Sequence, residues 1–407
     1  MTYVVALDVS KGKSMMVVYN QEKQCKFEGE ILHNRSSFEE LDGILCDLTV
    51  QGAQAPQIVF EATGSYSKAL ERFLQDRSYA YCCINPLEAK TQMAKMRRQK
   101  TDKGDAHELA KSHFKEERRE THHSADDYYD QMRALTRYYE EVSAEKEHLF
   151  NRMHAILQLS FSELESFCST SSVLFLNIVQ AYPHPDEVLD CSKTVLRNRL
   201  KKSTGKNISV RQAEEKSLVL IELAKNSYPA ISRKDVRCEQ LRDYAKRITE
   251  LNAKKARLVK QMDELSKDRK VYQILLSIPG IGKVTAGRII GELGDISRFH
   301  NHKQLNAYVG IDMMRYQSGT IYKKDKINKR GNKNLRRILF YMIQTMLSWR
   351  KKKRNHLVDY YDKLKTQPER KPHKVASIAC VNKFLKMLFH LIQHDLMYDY
   401  EKATTNL

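Results

Sequence analysis

The chain has 407 residues, 41% of them apolar and 29% charged, and its 70 Lys+Arg against 50 Asp+Glu leave a formal net charge of +20. That composition is too apolar for wholesale disorder and too charged for a membrane protein. No apolar run approaches the roughly 18 residues of a membrane span, and the N-terminus lacks the charged-then-apolar pattern of a secretion signal, so the chain is expected in the cytosol.

Residues 1–120 read as an α/β domain. Residues 4–7 are an apolar run ending at Asp8, 14–19 follow across a Lys-Gly-Lys turn, and 24–32 alternate in the manner of a third strand. Helical spacing over 36–48 sits behind a Ser/Glu start signal. A fourth strand at 57–60 ends at Glu61, a helix covers 66–74, and a fifth strand covers 79–84. A helix beginning near Thr101 carries Asp102, Asp105 and Leu109. This order suits an antiparallel start with parallel additions.

Residues 121–266 read as helical. From Met132, the positions Leu135, Tyr139, Val142, Leu149, Met153 and Ile156 form a heptad seam broken by Lys146. From Leu241, the positions Tyr244, Ile248, Leu251, Leu258, Met262 and Leu265 form a second, broken by Lys255. Pairing of the seams within one chain and between chains are both open. Short helical stretches lie between them around Pro183, Pro185 and Pro229. A compact block at 271–348, a Lys/Arg-rich tail at 349–374 and an apolar helix at 375–392 complete the chain. The eight cysteines form no CxxC or zinc spacing, and Cys82 and Cys83 are expected in a buried strand as reduced thiols.

The charge is concentrated. Residues 267–374 hold 26 Lys+Arg and 8 Asp+Glu, which is nearly the whole excess. Clustered cations of this kind neutralise phosphates and release condensed counterions. Gly and aromatic residues interleave with the charge, so nucleic acid is the expected partner and an acidic membrane surface a distant second.

Three constellations carry chemistry. Asp8 and Glu61 each end a predicted strand, and adjacent parallel strands would bring the ends together. Asp102 and Asp105, at i and i+3, share a helix face. Four converging carboxylates repel unless hard divalent cations bind them, and paired metals suit phosphodiester chemistry. Any one of them alone reads better as a solvated cap. Next, Ile278, Pro279, Gly280, Ile281, Gly282 and Lys283 resemble the hairpin of a helix-hairpin-helix module, whose glycines let backbone amides approach a phosphate. Finally, Tyr316, Gln317, Ser318 and Gly319 lie in the most basic segment, followed by Lys329, Arg330, Gly331, Asn332, Arg336 and Arg337. Ser318 has no neighbouring His, so a metal or remote carboxylate would have to activate it.

Taken together, these residues resemble a transposase of the DEDD insertion-sequence class, the recombinases guided by a bridge RNA. The stretches Ala6 to Lys11, Phe60 to Gly64 and Lys100 to Asp105 resemble that family's Holliday-junction-resolvase-like domain. The stretch from Ile278 through Ser318 to Asn332 resembles its second transposase domain. The resemblance implies an RNase H-like α/β domain over 1–120, a helical coiled-coil region over 121–266, a mainly α transposase domain with a helix-hairpin-helix over 267–374, and a C-terminal helix over 375–407. It implies Mg²⁺, replaceable by Mn²⁺, on Asp8, Glu61, Asp102 and Asp105, and Ser318 as a nucleophile that links covalently to a cut strand. It further implies donor and target DNA and a guide RNA as partners, a homo-oligomer (dimer or tetramer), no membrane, and a nucleoid-associated place in a bacterial or archaeal cytoplasm. Gly280, Gly282, Lys283, Lys329, Arg330, Asn332 and Arg336 are the expected DNA contacts. Arg97, Arg98, Lys100 and Lys103 are expected to meet nucleic acid near the metal site. The competing readings are a junction-selective nuclease in which water attacks and a non-enzymatic nucleic-acid-binding protein.

Overall fold

The computed structural model describes residues 2–86, 101–115, 127–205, 207–318, 321–366 and 368–405; the side chains of Asp102, of 315–325 and of 403–405 fall outside that description. The chain divides into two compact units, 1–124 and 125–407.

The first unit is built on a five-stranded mixed sheet. Its strands are β1 (Val4–Ser10), β2 (Lys13–Tyr19), β3 (Cys25–Leu32), β4 (Gln57–Glu61) and β5 (Tyr81–Ile84), in the order β3-β2-β1-β4-β5. The β1–β2 and β2–β3 pairs are antiparallel, whereas β1–β4 and β4–β5 are parallel. This is the antiparallel start with parallel additions anticipated from element order. β1 is central and apolar on both sides, as a doubly covered strand must be. Val5, Leu7 and Val9 join one core with Leu41 and Leu45 of α1 (Arg35–Gly52) and Leu70 and Leu74 of α2 (Lys68–Asp76). Val4 and Ala6 point the other way, into a core shared with Ala106, Leu109 and Ala110 of α3 (Asp102–His113). Asn34 rather than a serine caps α1, its side chain accepting from Ser37 N at 2.9 Å. Cys82 is buried in β5, and the eight cysteines are free thiols.

The second unit is mostly helical. Two long helices, α4 (Tyr128–Ser160) and α9 (Val236–Ser266), pack along each other, so the two heptad seams meet inside one chain. Val142, Leu149 and Met153 are buried with Leu241, Ile248 and Leu258 in one core. Lys146 and Lys255 interrupt that layer. Burial lowers both amines, and the charge of Lys255 lowers Lys146 further. Between the long helices lie α5 (Val173–Ala181), α6 (Pro185–Leu189), α7 (Lys193–Ser203) and α8 (Val210–Asn226).

After α9 come α10 (Lys270–Ser277), α11 (Lys283–Leu293) and α12 (His302–Val309), then the hairpin β6 (Met313–Ser318) and β7 (Ile321–Ile327). α13 (Lys333–Trp349), α14 (His356–Thr366), α15 (His373–Gln393) and α16 (Tyr400–Thr405) follow. The expectation that no apolar run approaches membrane length needs correction. α15 is long and apolar enough to cross a bilayer by length and composition, with a mean hydropathy of 1.5. Its Cys380, Val381, Phe384, Leu385 and Leu388 are instead buried in the core of this unit, against Leu339 and Ile343 of α13 and Leu357 of α14. The hairpin β6–β7 and helix α14 were not foreseen, because charge masks the alternation of the hairpin and the helix falls in the Lys/Arg-rich tail.

Candidate active site

In the first unit, strand parity and register place the acidic residues. Leu7 pairs with Phe60 across the parallel β1–β4 ladder, so Asp8 and Glu61 are the next residue on each strand, side by side at the same sheet edge. Both are half-buried. Side chains alternate along a strand. Asp8 therefore follows Val4 and Ala6, and Glu61 follows Val59, all on the face that α3 covers. Asp105 lies on α3 beside Ala106, which is buried against that face. Asp8 and Glu61 thus share one face of the sheet, and Asp105 lies on the helix that covers that face.

The start of α3 is set by Thr101, whose Oγ1 accepts from Gly104 N at 3.1 Å. A Cβ on Gly104 would stand 2.9 Å from that same oxygen, so glycine keeps the cap intact. Asp102 and Asp105 consequently fall at the first and fourth positions of α3. Lys103 and His107, on successive turns of α3, bind Glu28 on β3, His107 Nε2 lying 3.0 Å from its carboxylate, and Tyr19 Oη lies 2.8 Å from His107 Nδ1. Lys103 foremost, with His107, holds the Glu28 carboxyl below its usual range. These bonds fasten α3 to β2 and β3, and give Lys103 an acidic partner within the protein.

Among the described residues, no three Asp, Glu, His or Cys side chains are close enough to hold a metal ion, and the Asp102 side chain is not among them. The Asp8 and Glu61 side chains offer carboxylate oxygens, and that chemistry suits a hard divalent cation. Arg97, Arg98 and Lys100 lie outside the described residues.

In the second unit, Ser318 ends β6 opposite Ile321. The root of that hairpin is tightly built. Asn328 donates through N and Nδ2 to Asp312, at 2.9 and 3.1 Å. Lys329 takes a left-handed φ of 61° and donates to Gly310 O at 2.9 Å. Asn332 caps α13 through Oδ1, donates from its backbone to Tyr308 O at 2.6 Å, and gives Nδ2 to Glu292 at 2.8 Å. Glu292, on α11, is fully buried, and it also receives Arg137 Nε and Asn334 Nδ2, each at 3.3 Å. Arg336 donates to Val309 O at 2.7 Å. Gly331 packs so closely that a Cβ would lie 2.2 Å from Tyr308 O and 2.4 Å from Gly310 N. Asn332 and Arg336 therefore hold the hairpin root, while Lys329 and Arg330 are exposed.

The turn between α10 and α11 is the anticipated glycine corner. Gly280 has φ +93° and sits where a Cβ would meet Met346 at 2.7 Å, while Gly282 caps α11. Asn355 donates to Pro279 O at 2.8 Å and pins the turn. Lys283 pairs with Asp263 at 2.6 Å and, with Tyr272, holds that carboxyl below its usual range. Glu292 was missed as a site residue. Its signal is the sequence Gly291-Glu292-Leu293-Gly294 at a helix end, which marks a close approach but not the partner 40 residues on.

A mixed sheet with two carboxylates side by side at its edge, in a chain whose positive charge is concentrated at 267–374, is compatible with a protein that handles nucleic acid. Residues 5–162 match the DEDD family described as transposase, and residues 272–359 match the transposase IS116/IS110/IS902 family. The chain belongs to the IS110 family of DEDD transposases. It is similar to the transposase for insertion sequence element IS1111A of Coxiella burnetii, with 30% identity over 34% of this chain and 37% of that protein. It is also similar to a probable family 20 transposase of Pseudomonas aeruginosa, with 24% identity over 51% of this chain and 61% of that one. A pilin gene-inverting protein of Moraxella bovis is 34% identical over 25% of this chain and 31% of its own length. The matches thus span less than two thirds of these relatives.

Proposed function

We propose that this chain is a DNA transposase that cuts and rejoins strands through Ser318. The observation that carries the reading is the placement of Asp8 and Glu61 side by side at one sheet edge, on the face covered by the helix that bears Asp105, in a chain whose two family matches fall in the order expected of an insertion-sequence transposase. The strand order β3-β2-β1-β4-β5 supports an RNase H-like first domain over 1–120, and the α4–α9 pair supports the coiled-coil region over 121–266. The transposase domain is 267–374, with the α10–α11 corner as its helix-hairpin-helix, and 375–407 is the C-terminal helical segment.

In this reading Asp8, Glu61, Asp102 and Asp105 hold divalent cations, Mg²⁺ in the first place and Mn²⁺ in substitution. When bound, these would relieve carboxylate repulsion and stabilise the attacking and leaving oxygens. Ser318 Oγ attacks phosphorus and forms an ester bond. The bond from phosphorus to one deoxyribose oxygen breaks, the serine proton passes to a carboxylate or water, and the released oxygen takes up a proton as a hydroxyl. Joining runs the same exchange with a hydroxyl of another strand and frees the serine. A junction intermediate follows from exchanging strands in turn.

Gly280, Gly282, Lys329 and Arg330 approach the DNA backbone. Lys283, Asn332 and Arg336 contribute by holding the turn and the hairpin root, and nucleic acid near the metal site is the proposed partner of Arg97, Arg98, Lys100 and Lys103. A guide RNA supplies the sequence readout by pairing, so the protein needs only backbone contacts. The working unit is a homo-oligomer in which one protomer's carboxylates serve another's serine, and it acts on chromosomal DNA in a prokaryotic cytoplasm.

Denaturing electrophoresis of the full chain with Mg²⁺, co-purified RNA and labelled junction DNA tests this. A labelled protein–DNA adduct that is lost in both Ser318→Ala and Asp105→Asn is expected. Full-rate cutting by Ser318→Ala would instead assign the attack to water and the chain to the junction nucleases.

A further inference from the structure

We propose that the solvent face of α13, with the residues that follow it, binds an unpaired strand of DNA by stacking bases on Tyr341 and Trp349. This rests on DNA being the substrate, but not on the role of Ser318. Leu335, Ile338, Leu339, Met342, Ile343 and Met346 turn one side of α13 into the core. The opposite side exposes Lys333, Arg337, Tyr341, Thr345, Ser348 and Trp349. Tyr341 is 60% exposed and Trp349 51%. Tryptophan is ordinarily among the best-covered residues, so its exposure on a rigid helix has a use to be found. The two rings are eight residues apart, about 12 Å along the axis.

The surrounding charge selects the partner. From Arg330 to Arg354 there are nine cations and no acidic residue. Lys352 lies over the Trp349 ring at 4.5 Å, Arg337 pairs with Glu140, and Arg350 lies near Asp362. Lys333, Lys351 and Lys353 have no ion-pair partner among the described residues and stand ready for phosphates. A second copy of this face would be repelled by the same charges. A duplex hides its bases and leaves the rings unused, whereas an unpaired strand offers both faces and phosphates. Thr345 and Ser348 donate to Tyr341 O and Thr345 O on their own helix, at 3.1 and 2.7 Å. Few side-chain groups remain here to read base edges, so the surface suits any sequence. Transposition opens duplexes, and the displaced strand is the occupant this face fits.

Trp349 is the chain's single tryptophan, so its emission reports this site alone. Titration of the full chain with oligo(dT) is expected to quench that emission saturably, while a duplex of equal length binds with little quenching. Trp349→Ala should weaken oligo(dT) binding, measured by anisotropy, roughly 5- to 150-fold, as the loss of one stacked base implies. Trp349→Tyr should restore most of it. Replacing Lys351 and Lys353 with Ala should flatten the salt dependence by a slope of about 1.4. Unchanged oligo(dT) affinity in both Trp349→Ala and Tyr341→Ala would overturn the proposal. So would equal quenching by duplex, a tenfold preference for oligo(rU), a blue shift on anionic vesicles without quenching by oligo(dT), or a change in sedimentation on Trp349→Ala. Adduct formation by Ser318 is measured separately. Quenching without adduct keeps this surface and removes the serine reading, and adduct without quenching does the reverse.

Discussion

Gly331→Ala tests the closest approach found at any of the described glycines. A Cβ there would stand 2.2 Å from Tyr308 O, 2.4 Å from Gly310 N and 2.7 Å from Ala307 O. All three are backbone atoms, so no side-chain rotation relieves the clash and the hairpin root must move away from α12. Overpacking of this kind costs about 1–3 kcal/mol. The displacement also pulls Asn332 from Tyr308 O and from the fully buried Glu292. A buried acceptor deprived of a donor adds about 1–3 kcal/mol. The expected loss is thus about 2–6 kcal/mol, a large share of a typical domain's stability. Trp349 ends the helix that Asn332 caps, so its emission in a urea titration of the full chain reports this unit directly. A midpoint within experimental error of the unsubstituted protein, at unchanged m-value, would show that the close approach is not a constraint and refute the argument.

Two further outcomes follow from titratable groups. The Lys146 amine is pushed down from 10.5 by burial and by Lys255, so its charged form destabilises the fold below the folded-state pKa. Stability from this residue rises as pH climbs through that value and is complete above 10.5. Lys146→Leu should raise the thermal midpoint at neutral pH, with the gain shrinking toward alkaline pH. Because the seam closes within one chain, sedimentation should not change, and a changed sedimentation coefficient would place the seam between chains. His356, buried and bonded through Nδ1 to Tyr398 Oη at 2.9 Å, is held neutral with its pKa lowered to about 4 from 6.5. The unfolded chain binds the extra proton, so this contribution is whole above 6.5 and is lost as pH falls through 4. His356→Gln should flatten the urea midpoint between those values, and an unaltered slope would count against the buried neutral ring.

Much of the site's placement could be read along the chain. Asp8 and Glu61 end apolar runs, and a period of two assigns each to a face once its strand is accepted. Asp102 and Asp105 follow a Thr that can cap, so their helix and their common side were readable from four residues. The hairpin at 313–327 was hidden because Arg315, Lys323, Lys324 and Lys326 mask its alternation with charge. Glu292 looked like any helical glutamate. Its burial depends on Arg137, Asn332 and Asn334, which come from two other helices.

Local order therefore belongs to the sequence by itself: which segments of the first unit are strands or helices, where α3 starts, where the charge collects, and which family pattern the chain carries. Partnership belongs to the tertiary structure. Only packing decided that the two lysine-broken seams meet each other, that the apolar helix α15 is core, and that Asn332 and Arg336 brace a hairpin. The reason is physical: periodicity and capping act over a few residues, whereas the partner of a buried charge is chosen by whichever distant segment the fold brings within hydrogen-bonding reach.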